Sequence, residues 1–151
     1  MVGYPPISSS TGSMLMSAVD AFFDTSVILY LFSADAAKAG RAEELLASGG
    51  QISVQVLNEL ASVARRNLGF SWHEVIDVTA QLQHLCPVVP LTVETHARGL
   101  QTAERYGMSV YDGTIIAAAL LAGCVTLFTE DMHDGQVIDG QLTLHNPFVS
   151  R

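Results

Sequence analysis

The sequence predicts a single α/β domain: a parallel sheet with helices on both faces. Two observations carry this. Short apolar strands alternate with longer helical patterns along a chain of 151 residues, a length that suits one domain with a substantial core. The run from Gly113 to Thr129 holds 17 residues without a charge, interrupted by Gly123. It falls short of the roughly 20 apolar residues of a membrane span. It reads instead as a buried helix, a glycine stop and a buried strand, Cys124 to Phe128, apolar on both faces as interior parallel strands are.

Taken in order, residues 1–20 are polar, rich in Ser and Gly, and carry Pro5-Pro6. Without a basic start or an apolar core they are no secretory signal. They are expected to be a disordered or cloning-derived extension, with Met14 and Met16 as alternative natural starts. The folded domain is expected over residues 21–151. Ala21-Phe22-Phe23-Asp24 reads as a buried strand ending on a carboxylate, and Val27 to Phe32 as a helix beneath its end. Asp35 suits the N-cap of a helix over Ala36 to Ser48, stopped by Gly49-Gly50.

Gln51 to Val54 is a second strand. Val56, Leu57, Leu60 and Val63 then repeat at helical spacing up to Arg65-Arg66 and Gly69. Ser71-Trp72-His73-Glu74 is a capping box opening a helix whose apolar face carries Val75, Ile76, Val78 and Leu82. Pro87 and Pro90 bracket a third strand, Val88 to Leu91. Thr92 or Thr95 caps a helix reaching Tyr106, ended by Gly107. The uncharged helix and fourth strand follow, then a last strand, Leu142 to His145.

Composition bounds function. The net charge is −8, with 15 acids against seven Lys and Arg, which excludes broad non-specific affinity for nucleic acid. Local binding through divalent cations stays open. Cys86 and Cys124 form no metal spacing and read as core thiols of a reduced, cytoplasmic protein.

Topology then gathers acids. Asp24 ends the first strand, and Asp131 follows the fourth. A helix joined to a strand by one tight glycine turn runs antiparallel to it, so Asp112 returns to the same carboxyl edge, where open α/β sheets bind ligands. Glu59, early in the helix after the second strand, leans back toward that edge. Singly, each acid suits a cap or a wet surface. Jointly, their repulsion calls for a cation. An all-oxygen set selects Mg²⁺ or Mn²⁺ over Zn²⁺. Asp134 and Glu130 are weaker candidates, and His133 is expected to be exposed. Thr25, Ser26, Ser109 and Thr129 suit ligand positioning and turn capping equally.

Four stretches carry a resemblance: Phe23-Asp24-Thr25-Ser26, Gln55 to Leu60, Tyr111 to Ala119, and Thr129 to Gly135. In order and spacing they resemble the acidic motifs of the PIN-domain family, and within it the VapC-type toxins of toxin–antitoxin pairs. The resemblance covers residue 21 to the C-terminus. It implies a five-stranded parallel sheet flanked by helices, and Mg²⁺- or Mn²⁺-dependent cleavage of RNA to 5′-phosphate and 3′-hydroxyl ends. By motif position it implies metal-binding, catalytic roles for Asp24, Glu59, Asp112 and Asp131, with Asp134 a variable auxiliary acid. It further implies a cognate antitoxin and a homodimer, with no membrane partner. Gly113 departs from the alanine common after the third acid and is expected to loosen that helix start slightly. Arg65, Arg66, Arg98 and Arg105 are candidates for steering RNA, or ordinary surface charges.

Two other folds gather acids in this way. A receiver domain needs a lysine after its last strands, and the chain's lysine is Lys38. A haloacid-dehalogenase phosphatase needs Asp-x-Asp, where this chain has Ser26. The alternative of another class is a PIN-like module that binds protein or RNA without cutting.

Overall fold

The computed structural model describes residues 20–149. The expectations for residues 1–19, including the alternative starts, lie outside the described residues. The elements are β1 (Ala21–Phe23), α1 (Thr25–Leu29, continued by a 3₁₀ turn Tyr30–Phe32), α2 (Ala36–Ser48), β2 (Ile52–Ser53), α3 (Val54–Arg66) and α4 (Trp72–Leu85). Then come β3 (Val88–Val89), α5 (Val93–Tyr106), α6 (Val110–Leu121), β4 (Thr126–Phe128), β5 (Val137–Ile138) and β6 (Leu142–His145).

Four strands form one sheet in the order β1-β4-β6-β5. β1 pairs parallel with β4 and β4 with β6, while β5 runs antiparallel to β6. A second, two-stranded parallel sheet holds β2 and β3. The two are stitched by a parallel bridge from Phe22 to Gln51, with Phe23 N–H donating to Gln51 O and Gln51 N–H to Ala21 O, both at 2.9 Å. The expected single five-stranded parallel sheet is therefore corrected. The strands are too short to form one uninterrupted ladder, and an antiparallel edge strand is added. β5 hangs on a tight turn, with Asp139 and Gly140 both left-handed at φ 51° and 67°. Asp-Gly is the turn pair of a short hairpin.

The chain moves outward from β1 to β2 and β3, then crosses back to place β4 on the other side of β1. The reversal leaves a crevice between the carboxyl ends of β1 and β4, where such sheets bind ligands. Asp24 N–H donates to Phe128 O at 3.0 Å, so the segments leaving these strands start side by side.

Phe22, Phe23, Ile115, Ile116, Leu127 and Leu144 are fully buried at the centre of the core. Each contributes on the order of 1.5–3 kcal/mol by leaving water. α6 is buried continuously from Gly113 to Leu120, which explains its lack of charge: it has no solvent face along that stretch. It begins at Val110 with Ser109 as N-cap, so Asp112, expected to start the helix, sits inside its first turn.

Gly113 does not loosen this start. A Cβ there would collide with the carbonyl oxygen of Gly99 on α5, and a Cβ on Gly99 would lie 2.8 Å from Thr114 Oγ1. The two glycines let α5 and α6 touch backbone to backbone, which sets the first turn carrying Asp112. Gly113→Ala is expected to lower stability by about 1–3 kcal/mol despite alanine's better helix propensity, because the overlap is with backbone and no rotamer relieves it. The midpoint of urea unfolding measures this.

Candidate active site

Each acid reaches the crevice from its own segment. Asp24 caps α1, with its Oδ1 accepting from Thr25 N–H at 2.8 Å. Its Oδ2 accepts from Ser26 Oγ at 2.9 Å and Thr129 Oγ1 at 2.8 Å. The residue is 3% exposed. Glu59 stands on α3; its Oε1 accepts from Thr25 Oγ1 and its Oε2 from Gln55 Nε2, each at 3.0 Å. Asp112 is anchored by its backbone, whose N–H donates to Ser109 Oγ at 3.1 Å. Asp131 follows β4, and its N–H donates to Thr129 Oγ1 at 3.3 Å.

These four acids line one cavity of about 300 Å³, together with Thr25, Ser26, Ser62 and Arg66. Asp112 and Asp131 also border a wider, more open hollow of about 750 Å³ with Met132, His133 and Asp134. Asp24 is buried, Glu59 and Asp112 are half-buried, and Asp131 is exposed, so the cluster grades from core to solvent.

The electrostatics show the acids acting on one another. Burial pushes Asp24 up to about 6, against three hydrogen bonds that favour its charged form, and the Asp112 charge pushes the same way as burial. Asp112 is raised by burial and then by the charges of Glu59 and Asp131. Asp131 is raised by burial and then by Glu130 and Glu59. Uncompensated negative charge has accumulated here.

The donor set fits a hard divalent cation in its chemistry, being all oxygen. Among the described residues, however, no three His, Cys, Asp or Glu side chains stand in a geometry that could hold a metal ion. Hydroxyl and amide donors occupy the oxygens of Asp24 and Glu59 instead.

The PIN domain family model matches residues 21–133, most of the chain and every acid of this cavity. The chain belongs to the PIN domain family. Solved structures of similar fold include a toxin–antitoxin complex from Klebsiella pneumoniae at 21% identity and TM-score 0.65, covering 85% of this chain and 98% of that one. The sarcin–ricin loop cleaving toxin VapC20 of Mycobacterium tuberculosis is 24% identical with TM-score 0.62, covering 74% of this chain and 89% of that one. FitAcB from Neisseria gonorrhoeae is 19% identical with TM-score 0.59, covering 85% and 98%. Comparison with curated proteins found no match.

Other residues singled out by sequence take different places in this PIN domain. Asp134 Oδ1 accepts from Asn146 N–H at 2.8 Å and lies 4.0 Å from His145 Nδ1, which ties it to the end of β6 while it lines the wider hollow. Glu130 turns away to Lys38 Nζ at 2.9 Å. Burial pushes it up, but hydrogen bonds from Tyr30 and Lys38 prevail and hold it below the usual carboxylate range. His133 is exposed, as expected. Cys86 and Cys124 are buried, and burial pushes each thiol up to about 12. Among the described residues no helix is long and apolar enough to cross a membrane.

Sequence reasoning missed Gln55 and Ser62. Gln55 stands four residues before Glu59, a spacing that puts both on one helix face. It also left open whether Arg66 is more than surface charge, whereas that residue lines the acidic cavity.

The shift at Asp24 has a sign that can be measured. The native carboxyl keeps its proton to about pH 6, whereas an ordinary one releases it near 3.8, so folding is coupled to proton uptake between these values. Stability from this group is complete at low pH and is lost as pH rises through about 6. In chelator, Asp24→Asn is expected to match the wild type near pH 4 and exceed its stability by about 1–3 kcal/mol at pH 8. Urea unfolding at both pH values measures the gap.

Proposed function

We propose that this protein is a divalent-metal-dependent endoribonuclease, the toxin of a toxin–antitoxin pair. One observation carries the reading. Four carboxylates from four separate segments share one cavity at the reversal point of the sheet, and three of them are raised by charges on the others. A cluster that costs stability and supplies no packing is best explained by a ligand that needs it.

Asp24, Asp112 and Asp131 would hold Mg²⁺ or Mn²⁺, with Glu59 as a further ligand and Asp134 as an auxiliary acid at the wider mouth. When bound, such a cation lowers the pKa of water and offsets charge on the phosphate oxygens. The side chains supply the rest. Ser26 and Thr129 orient the Asp24 carboxylate from one side, Thr25 N–H holds it from the other, and Thr25 Oγ1 ties Glu59 to the same turn. Ser109 fixes the turn that presents Asp112, and Thr129 fixes the backbone that presents Asp131. Asp131, the most exposed, borders both hollows, and we assign it the boundary between cation and substrate.

RNA as the substrate rests on the family, and on the similar fold of VapC20, a sarcin–ricin loop cleaving toxin. A cognate antitoxin rests on the neighbours solved as toxin–antitoxin complexes. A homodimer and a cytoplasmic setting complete the reading. Asp24→Asn and Asp112→Asn are each expected to lower Mn²⁺-dependent RNA cleavage about 100-fold or more with the circular dichroism spectrum unchanged. Wild-type rates in either folded variant would refute the mechanism.

The second reading, a PIN module that binds without cutting, is favoured by the lack of a metal-ready group among the described residues. Calorimetric titration with Mn²⁺ separates the two. The nuclease shows a saturable site that Asp112→Asn removes, and the binding module shows none.

A further inference from the structure

Beside the acidic cavity lies a second hollow of about 510 Å³, lined by Ala61, Ser62, Arg65, Arg66 and Trp72. Ser62 and Arg66 line both, so the two hollows adjoin across α3. Trp72 opens α4 and is 63% exposed, although a tryptophan side chain is among the costliest to leave in water. The Arg65 guanidinium lies over its ring, 4.6 Å from the centroid, while Arg65 Nη1 donates to Phe70 O at 2.8 Å. That bond restrains the guanidinium against a ring that stays largely exposed.

The positions of the cations narrow the choice of ligand. Lys38 is paired with Glu130, Arg41 with Glu44, and Arg98 and Arg105 with Asp139. Among the described residues, Arg65 and Arg66 are the cations outside every salt bridge. Both stand on the rim that joins the acids to Trp72. An acidic chain has thus kept its uncommitted positive charge next to an exposed π-face and a step from the candidate cleavage site.

We propose that Trp72 and Arg65 form a stacking platform for one unpaired nucleobase of the RNA, and that Arg66 contacts the phosphate between that base and the scissile bond. Aromatic stacking with flanking guanidinium charge is how proteins hold single-stranded nucleic acid, and it reads a base's flat face rather than its edge. The platform rests on the ribonuclease reading for its substrate class and extends it to a position. It favours unpaired RNA, because a paired base has no free face to offer.

Trp72 is the chain's one tryptophan, so its fluorescence reports on this site alone. The probe is a 12-nucleotide single-stranded oligoribonucleotide of mixed sequence, added to the otherwise unaltered protein with Ca²⁺ in place of Mg²⁺, so that the acids keep a cation while binding is read without cleavage. Saturable quenching is expected, with affinity by anisotropy falling about tenfold in Trp72→Ala and largely retained in Trp72→Phe. Arg66→Gln is expected to weaken binding and flatten its salt dependence. Binding without quenching, no binding, or an affinity in Trp72→Ala within twofold overturns the platform. So does a change of oligomeric state in Trp72→Ala, which would mark this face, with Ile76 one turn further along α4 and 66% exposed, as a protein interface. Quenching with no cleavage by the wild type would keep the platform and remove the nuclease; cleavage with no quenching would do the reverse.

Discussion

A carboxylate at 3% exposure is tolerated only where donors replace the water it has lost, and the construction of this site follows from meeting that requirement at Asp24. Its three donors come from two places. Thr25 and Ser26 follow it in α1, whereas Thr129 follows β4. Each donor also does a second task. Ser26 Oγ accepts from Glu130 N–H at 3.0 Å, Thr129 Oγ1 accepts from Asp131 N–H at 3.3 Å, and Thr25 Oγ1 reaches Glu59. The solvation of one buried acid therefore sets the backbone that presents another and the rotamer of a third. Asp112 alone arrives independently, on a helix whose position depends on the backbone contact of Gly99 with Gly113.

The gradation from buried Asp24 to exposed Asp131 separates two demands. The inner acid is held by a rigid shell and carries the heaviest desolvation. The outer acids are more accessible, and their repulsion is spread through solvent, which screens it. Such a cluster opposes folding at neutral pH and gains from any cation that enters it, so binding energy and stability are linked.

Much of this was legible in the sequence because it followed from periodicity and punctuation. The uncharged run broken at Gly123 identified α6 and β4, and the antiparallel return placed Asp112 and Asp131 at one edge. Ser71, Thr92 and Asp35 announced their helices by capping chemistry, and each is the observed cap. What escaped depends on pairs distant in sequence. The role of Gly113 is invisible without Gly99 opposite it. β5 is two residues long, too short for a period, although its Asp139-Gly140 turn was present to be read. The division of the sheet could not be read either, since strand lengths near two or three residues lie below what alternation resolves.

The acidity of the chain looks at first like an obstacle to handling RNA, and the distribution of charge removes it. A net charge of −8 would repel a polyanion over the whole surface, so long-range steering cannot supply affinity. On the proposed ribonuclease reading, affinity comes instead from contacts at short range: a cation among the acids and π-stacking beside them. That division also suppresses non-specific binding. Among the described residues most basic side chains are already paired, Arg98 and Arg105 sharing Asp139, Arg41 with Glu44 and Lys38 with Glu130. An RNA that cannot bring both a phosphate to the acids and an unpaired base to the rim finds little else on this surface to hold it. Selectivity of this kind needs no base-edge reading, only the geometry of one strand crossing from Trp72 to Asp131.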